Sequence, residues 1–440
     1  MTNKSKNINI NMESKSKKFS ESKSINSLNT LHTIREEEED TFKFRIDFVR
    51  ALLKDNKLQP LINLDSCDTE AFTKPINDSS EEYNMEDTRH ILSKKNYNFN
   101  QIIHQIGGKL KYIKSGTTGH TFQGRIKLDD ENNEINNEFN YAVKVVAYPK
   151  KDNYGEHTDI KRPENAELYM LKVLSYFIIT GQTPHIIMPI GTFDTNIEPF
   201  TKLIDDGAIN KDNVKYQEFV DKYQKRTYYD TVSILISEWA NRGDLLDFIK
   251  KNYKKFNLLH WKVIFFQIIS TLAVIQSKYP SFRHNDLKAN NILVHKLGTS
   301  NPRFGYHVKG IKFAVPNIGY RIKICDFDFA CIPGVVENSK VSAEWTQAIN
   351  VNPEQNRYYD LHFFFNTLIR KGFFPEFLTD NTIPKQVVEF VDRILPIKYR
   401  NSKYVHKRGR LLINKEHITP IEILKTDEFF QEFIKQKKRK

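Results

Sequence analysis

Asp286, Lys288 and Asn291 stand close together between two apolar flanks. In phosphoryl transfer, a carboxylate such as Asp286 can orient the attacking hydroxyl and accept its proton, while an ammonium such as Lys288 neutralises the transferred group. The side-chain oxygen of Asn291 suits a magnesium ion, and the apolar residues 292–294 would anchor the loop. A polar surface turn before a buried strand is the alternative, so the surrounding sequence has to decide.

Two earlier segments carry groups that could bind a nucleotide. Gly116 and Gly119 lie three residues apart in a predicted turn, and glycine lets backbone amides approach phosphate oxygens closely. Lys144 is a charge within the apolar strand 141–146, and Glu167 lies at the edge of the apolar face of a predicted helix, where it could pair with Lys144. The alternatives are a plain hairpin turn, a snorkelling surface lysine and a solvated glutamate.

Two later aspartates complete the set. The segment 320–329 has the pattern of a strand that ends in carboxylates, of which Asp326 could bridge magnesium to phosphates. A simple strand-end turn is the alternative. Asp360 stands near the start of a strongly apolar helix, which it could cap. If it is buried, it could instead accept amide hydrogen bonds from the loop at 286–291.

The elements that must position these groups divide the chain into a strand-led first half and a helix-led second half. This division predicts an α+β fold with a β-rich N-lobe, a helical C-lobe and a cleft between them. Apolar residues at helical spacing predict a helix at 41–58, which Pro60 would end. The remaining predicted features are a disordered tail at 1–40, an acidic linker at 63–95 and long insertions at 191–229 and 295–320.

The composition of the 440 residues favours a soluble intracellular protein. Lysine and arginine exceed aspartate and glutamate by 13, but the surplus is spread along the chain, so we expect a solvated surface rather than a specific nucleic-acid site. Three cysteines without metal-ligand spacing indicate a reducing compartment and no disulfide framework. No uncharged apolar run approaches transmembrane length, and the N-terminus lacks the apolar core of a signal peptide.

The order of these features resembles the eukaryotic-type protein kinases over about residues 105–430. The likeness consists of a glycine-bearing loop, an A-V-K strand, a helix glutamate, E-W-A at 238–240, H-N-D-L-K-A-N-N-I-L at 284–293, D-F-D at 326–328 and an aspartate-led apolar helix. It implies a bilobal protein-kinase-like fold and ATP as the phosphoryl donor. A lysine two residues after the base is the serine/threonine-type signature of that family.

The resemblance also implies a role for each site residue. Nucleotide binding falls to Gly116, Gly119, Lys144, Glu167, Glu238, Ala240 and Asp244. Catalysis falls to Asp286 and Lys288, and the binding of Mg2+ or Mn2+ falls to Asn291 and Asp326. Glu238 and Ala240 would belong to the hinge that contacts adenine, with Ser237 at the gatekeeper position. Asp244 would lie near the ribose.

Several departures from the usual kinase pattern point to a narrower family. Lys114 replaces the first glycine of the loop, Asn285 replaces the arginine before the base, and Asp328 replaces the glycine after Asp326-Phe327. Four features are similar to the virion serine/threonine kinases of poxviruses and other large DNA viruses: the Gly-poor loop, the non-arginine before the base, the long insertion before D-F-D, and Y-Y-D-L-H-F-F at 358–364. This resemblance implies virion or host proteins as substrates, and the virion and host cytoplasm as the setting. The Asn/Lys/Ile-rich composition is typical of an AT-rich giant-virus genome.

The sequence divides into four predicted regions, of which the resemblance covers the third: a tail at 1–40, an N-terminal extension at 41–100, a kinase domain at 105–430 with lobes at 105–238 and 241–430, and a basic tail at 431–440. Two rival functions remain open. The first is a choline- or aminoglycoside-type phosphotransferase, which the H-N-D-L motif and the D-x-D at 326–328 also fit. The second is a pseudokinase scaffold, suggested by the lost glycine and by Asp328.

Overall fold

The computed structural model of the protein describes residues 41–64, 91–92, 94–127 and 138–435. Three predicted features lie wholly or largely outside these residues: the disordered tail at 1–40, the linker at 63–95 and the basic end of the chain. The segment 129–137, whose acidic, Asn-rich sequence predicts a hairpin tip, lies outside them as well. The folded core continues beyond residue 430, because the short 3-10 helix Glu428–Phe433 buries Phe433.

Five strands form one antiparallel sheet in the first half of the chain, in the order β1-β2-β3-β5-β4. Their bounds are Lys109–Ser115 (β1), His120–Lys127 (β2), Glu138–Pro149 (β3), Pro189–Asn196 (β4) and Tyr228–Glu238 (β5). In β3, Tyr141, Val143 and Val145 are fully buried on one face. Because side chains alternate along a strand, Lys144 points to the opposite face.

Five helices accompany this sheet: Phe42–Leu53 (α1), Phe99–Ile106 (α2), Pro163–Ile179 (α3), Glu198–Thr201 (α4) and Val214–Gln224 (α5). The hydroxyl of Thr41 caps α1 by accepting the amide of Phe44 at 3.1 Å. The predicted helix at 41–58 is therefore present but shorter. It ends before Pro60 because Asp55 has a φ of 60°, a left-handed conformation that ends the helical path.

The prediction of a polar insertion at 191–229 is wrong in part, because β4 occupies its beginning and α4 and α5 follow. Polar residues of β4 are buried together with partners that the local sequence does not reveal. Asp194 accepts the hydroxyl of Tyr148 at 2.8 Å and pairs with the ammonium of Lys94 at 2.8 Å. A buried polar group with such partners keeps its place in a core strand.

Helices dominate the second half of the chain. They are Leu245–Asn252 (α6), Leu258–Lys278 (α7), Glu344–Gln347 (α8), Tyr359–Leu368 (α9), Lys385–Ile394 (α10) and Pro420–Thr426 (α11). By length and composition α7 is apolar enough to cross a membrane, but 78% of the apolar stretch is buried inside the protein. An all-round apolar surface is what a central core helix requires, and its neighbours include α10 and α11.

Two small two-stranded sheets lie in the second half of the chain. Ile292–Lys296 (β6) pairs with Tyr320–Ile324 (β9), so the loop before β6 and the turn after β9 lie side by side. The predicted insertion at 295–320 forms a hairpin of Arg303–Val308 (β7) and Ile311–Pro316 (β8). Its Tyr306 and Phe313 pack on Phe266 of α7, each with a ring-centroid distance of 5.1 Å.

One contiguous core of buried apolar side chains runs from α1 through both halves of the chain to Phe433. The predicted α+β architecture, with a strand-rich first half and a helical second half, is confirmed.

Candidate active site

A charged triad of Lys144, Glu167 and Asp326 lies between the sheet and the helical half. The Lys144 ammonium donates to the Glu167 carboxylate at 2.7 and 2.9 Å and to Asp326 Oδ1 at 2.9 Å. β3 supplies the lysine, α3 the glutamate and the turn after β9 the aspartate. The pairing of Glu167 with Lys144 that the sequence suggested is present, and Asp326 joins it.

Burial and the shared ammonium decide the protonation of the triad. Burial, opposed by Lys144, raises the pKa of Glu167 to about 7. Burial also works against the charge of Lys144, but Asp326 and Glu167 together raise its pKa above the usual value. For Asp326, the cost of desolvation is outweighed by Lys144, and its pKa falls to about 2. Asp326 is therefore a carboxylate at neutral pH, as a metal ligand must be.

The catalytic loop, residues 284–291, gathers the other predicted groups. The carboxylate of Asp286 accepts the Lys288 ammonium at 2.7 Å through Oδ2. Asn291 Nδ2 donates to the same oxygen at 3.0 Å and to the backbone carbonyl of Asp286 at 2.9 Å. The carbonyl of Asn291 accepts the amide of Cys325 at 3.0 Å, which places the catalytic loop beside Asp326.

Asp360 anchors the catalytic loop from the helical half of the protein. It is fully buried near the start of α9, and its two carboxylate oxygens accept the amides of His284 at 2.7 Å and Asn285 at 2.9 Å. Of the two roles that the sequence left open, the structure shows the contact with the loop. The ring of His284 packs on Phe327 at 5.0 Å, so the anchored loop also supports the turn that carries Asp326.

The side chain of the predicted hinge residue Glu238 is bound by groups of the protein itself. Glu238 accepts Arg45 Nε at 3.0 Å, the Lys323 ammonium at 2.8 Å and the amide of Met188 at 2.7 Å. These contacts commit its side chain to the protein interior, so a contact with adenine would have to come from the main chain of 238–240. Ala240 and Ser237 are both buried at this hinge.

The glycine-bearing loop closes tightly between β1 and β2. The amide of Gly116 donates to the carbonyl of Gly119 at 2.8 Å. A Cβ atom at Gly119 would lie 2.8 Å from the carbonyl oxygen of Val145, which no side chain can occupy, so the loop can press against β3 only because this residue is glycine. Lys114, in place of the first glycine, reaches Asp244 Oδ2 at 3.5 Å. Asp244 also caps α6.

The sequence did not reveal two sets of supporting residues around the groups that are predicted to bind a nucleotide. One is a chain of hydrogen bonds from α5 to the glycine-bearing loop: Asn213 to Tyr112 at 2.6 Å, Tyr112 to Ser115 at 2.7 Å and Ser115 to His120 at 2.8 Å. The other is Arg45, which is 3% exposed and also donates to two carbonyls before β4. Asn213 is 101 residues from Tyr112, and Arg45 is 193 residues from Glu238, so no local pattern could signal either support.

Arg410 is a further support that the sequence did not reveal, and it contacts the catalytic loop directly. Its Nη2 donates to Asp286 Oδ1 at 2.5 Å. A single arginine in a basic segment, 124 residues after its partner, carries no local signal of such a contact.

The oxygen ligands that a magnesium ion prefers are available at this site. Asp326 is 39% exposed in its side chain, and Asn291 uses its nitrogen for the catalytic loop, which leaves its oxygen as a donor to metal. Asp328 is not available in the same way, because it is buried against the ammonium of Lys340. Among the residues that the structure describes, no three His, Cys, Asp or Glu side chains form a metal cluster.

A strand-rich lobe that holds a lysine between two acids, facing a helical lobe with an anchored D-x-K-x-x-N loop, defines the protein kinase class. A family model of the poxvirus serine/threonine protein kinase matches residues 162–435. R400 of Acanthamoeba polyphaga mimivirus, named as a candidate serine/threonine-protein kinase, is 45% identical over 399 residues, which cover 88% of this chain and 80% of R400.

Poxvirus proteins match over a shorter part of the chain. Serine/threonine-protein kinase 2 of monkeypox virus is 32% identical over 179 residues, which are 39% of this chain and 37% of that protein. The vaccinia virus protein of the same name (strain Western Reserve) is 31% identical over 179 residues. The chain belongs to the poxvirus serine/threonine protein kinase family. The predicted family and the predicted enzyme class are confirmed. Neither rival function, the small-molecule phosphotransferase or the pseudokinase scaffold, gains support.

Proposed function

We propose that this kinase transfers the γ-phosphoryl group of ATP to serine and threonine hydroxyls of proteins, with Mg2+ or Mn2+ as the metal. The observation that carries the proposal is the contact of Lys144 with both Glu167 and Asp326, directly beside a catalytic loop that Asp360 holds in place. An ammonium, a partly exposed carboxylate and the proposed general base, held this close together, would suit one bound triphosphate.

The roles of the upper groups follow from their contacts. Lys144 would bind the α- and β-phosphates while Glu167 keeps its ammonium in place. Asp326 and Asn291 would hold the metal ion, which supplies charge neutralisation when it is bound. The main chain at Gly116 and Gly119 would cover the phosphates, and Asp244, which pairs with Lys114, would lie near the ribose.

The roles of the lower groups concern the acceptor. Asp286 would orient the acceptor hydroxyl in line with the γ-phosphorus and accept its proton. Lys288, which contacts Asp286 Oδ2, would shift toward the transferred group and neutralise its charge. The closed contacts within the catalytic loop reduce the reorganisation that the reaction needs.

For the setting, we propose the virion and the host cytoplasm, with virion or host proteins as substrates. Support comes from the similar proteins, which belong to mimivirus and to poxviruses. We propose no specific nucleic-acid partner.

The test compares the wild-type chain with Asp286→Asn, which removes the base but keeps the shape of the side chain. Labelled ATP and Mg2+ are supplied with casein, or with choline and aminoglycosides. We expect label on serine and threonine of the protein only, and a loss of about 100- to 10,000-fold in Asp286→Asn. Nucleotide affinity should remain unchanged, and Asp392→Asn, which alters an exposed carboxylate on α10 that pairs with Arg400, serves as the matched control. Label on the small amines, or full activity of Asp286→Asn, would contradict the proposal.

A further inference from the structure

Arg410 reaches the catalytic loop from the segment between α10 and α11. Its Nη2 donates to Asp286 Oδ1 at 2.5 Å, and its Nη1 contacts the backbone carbonyl of Asn285. A guanidinium is planar and presents several donors in fixed directions. One side chain therefore holds both the carboxylate of the proposed base and the backbone just before it.

The position of Arg410 is itself fixed. The residue is 7% exposed, and its guanidinium lies 4.3 Å from the ring centroid of Phe363 on α9. The preceding residue, Gly409, offers its carbonyl to Asn366 Nδ2 at 2.8 Å, also on α9. The helix that carries Asp360 thus holds the catalytic loop twice, once through its own carboxylate and once through Arg410.

The contacts of Asp286 come from different sides. Lys288 and Asn291 bind Oδ2 at 2.7 and 3.0 Å, and Arg410 binds Oδ1. Two donors from the catalytic loop and one from the segment between α10 and α11 define the plane of the carboxylate. Because a carboxylate accepts about four hydrogen bonds, an acceptor hydroxyl still finds a site on it.

We propose that Arg410 is a positioning residue for phosphoryl transfer, which fixes the Asp286 carboxylate in the orientation that receives the acceptor hydroxyl. Asn285 carries no charge at the position before the base, and Arg410 provides a cation there from a distant part of the chain. The proposal rests on the role proposed above for Asp286.

The burial of Arg410 favours a permanent support over a removable inhibitory latch. Its guanidinium is enclosed by Phe363 and by the catalytic loop, so its release would leave a charge in a largely dry environment, which is costly. Burial works against the cation, but Tyr359 and Asp286 raise the pKa of Arg410 above its usual value, so it stays charged.

The experiment measures kcat, KM for ATP and nucleotide affinity for the full chain with casein and Mg2+. Arg410→Ala should lower kcat about 100-fold, because a small misplacement of a reacting group costs about this much, while KM for ATP and nucleotide affinity stay unchanged. Arg410→Lys keeps the charge and should recover about a tenth of the wild-type rate. In the Asp286→Asn background, Arg410→Ala should have no further effect, because both act through the same carboxylate.

The matched control is Arg370→Ala. Arg370 supports the same segment through the carbonyl of Lys407 at 2.9 Å, with no hydrogen bond to the catalytic loop among the described contacts. It should change kcat less than threefold. The proposal would be overturned if Arg370→Ala and Arg410→Ala lowered kcat equally, or if Arg410→Ala raised kcat. It would also be overturned if Arg410→Ala, made in the Asp286→Asn background, lowered kcat further by its full separate effect. Should Arg410→Ala not fold, Arg410→Lys decides by the same kcat and KM comparison. If Asp286→Asn alone keeps full activity, the proposed base fails, whatever Arg410 does.

Discussion

The two sides of the cleft hold their functional groups by different means. Below the cleft, buried contacts from the helical core, from Asp360 and Arg410, fix the catalytic loop. Above the cleft, added segments provide the support: α1 reaches the hinge through Arg45, and α5 reaches the glycine-bearing loop through Asn213. The lower side is thus built into the fold, whereas the upper side depends on parts outside the usual kinase pattern.

This difference has a functional meaning. A base and its neighbours must be held within a fraction of an ångström, and a buried core helix provides such precision. In the proposed function the glycine-bearing loop binds and releases a nucleotide, and the partly buried hydrogen bonds of Asn213, Tyr112 and Ser115 can loosen without loss of the core. We therefore expect damage below the cleft to lower kcat and stability, and damage above it to raise KM for ATP.

The largest effect is expected from Asp360→Ala. The change leaves the amides of His284 and Asn285 buried without an acceptor, which should cost about 2–6 kcal/mol of unfolding free energy. It should also lower kcat at least 100-fold. Denaturant unfolding and steady-state kinetics measure both, and Asp360→Asn, which keeps one acceptor oxygen, should lose less of each. If the free energy of unfolding and kcat both stayed unchanged, Asp360 would not be a support of the catalytic loop, and the contrast between the two sides would fail.

A second effect concerns acidification. Burial lowers the pKa of His120, above the cleft, and of His362, below it, to about 4 each, from the usual value near 6.5. The unfolded chain then binds more protons between pH 6.5 and 4. The contribution of each histidine to the free energy of unfolding is fully present above pH 6.5. It should fall by about 3 kcal/mol for each histidine as pH drops through this window.

The two histidines can be separated by substitution. Replacement of either residue by glutamine should flatten the dependence of unfolding free energy on pH. His120→Gln should also raise KM for ATP, because His120 contacts Ser115 of the glycine-bearing loop, whereas His362→Gln should not. Equal effects on KM would show that the two sides are not independent.

A smaller effect is expected from Arg45→Gln. Lys323 remains with Glu238, so we expect a loss of about 1–3 kcal/mol in unfolding free energy, below the full cost of breaking a buried ion pair. KM for ATP should rise several-fold with little change in kcat. Lys43→Gln, on the same helix, is the control. A fall in kcat at constant KM would contradict the assignment of α1 to the nucleotide side.

The smallest effect is expected from Tyr112→Phe, which removes one hydroxyl from the chain of hydrogen bonds between Asn213 and Ser115. The loss should be about 1 kcal/mol or less in stability, with KM for ATP about two- to fivefold higher. Isothermal titration calorimetry with ATP measures the change in affinity. No change in affinity would mean that α5 packs on the loop without controlling it.

The sequence predicted most of the lower side and of the charged triad, because these groups stand in short motifs whose order is informative. Asp286, Asn291 and Asp326 were found in this way, and Asp360 from its place at the start of an apolar helix. The supports were not found, because Arg45 and Arg410 act on partners more than a hundred residues away. β4 was missed because its polar residues suggested a surface segment, whereas Asp194 is paired inside the core.

The buried arginine of α1 also bears on where the protein can be cut. A fragment that starts at residue 105, where the kinase pattern begins, would lose Arg45 and the apolar face of α1 that covers α3. Glu238 would then face water on one side, and the carbonyls of Pro184 and Ile186 would lose their donor. Recombinant versions meant for biochemistry should therefore keep the chain from Thr41 onward.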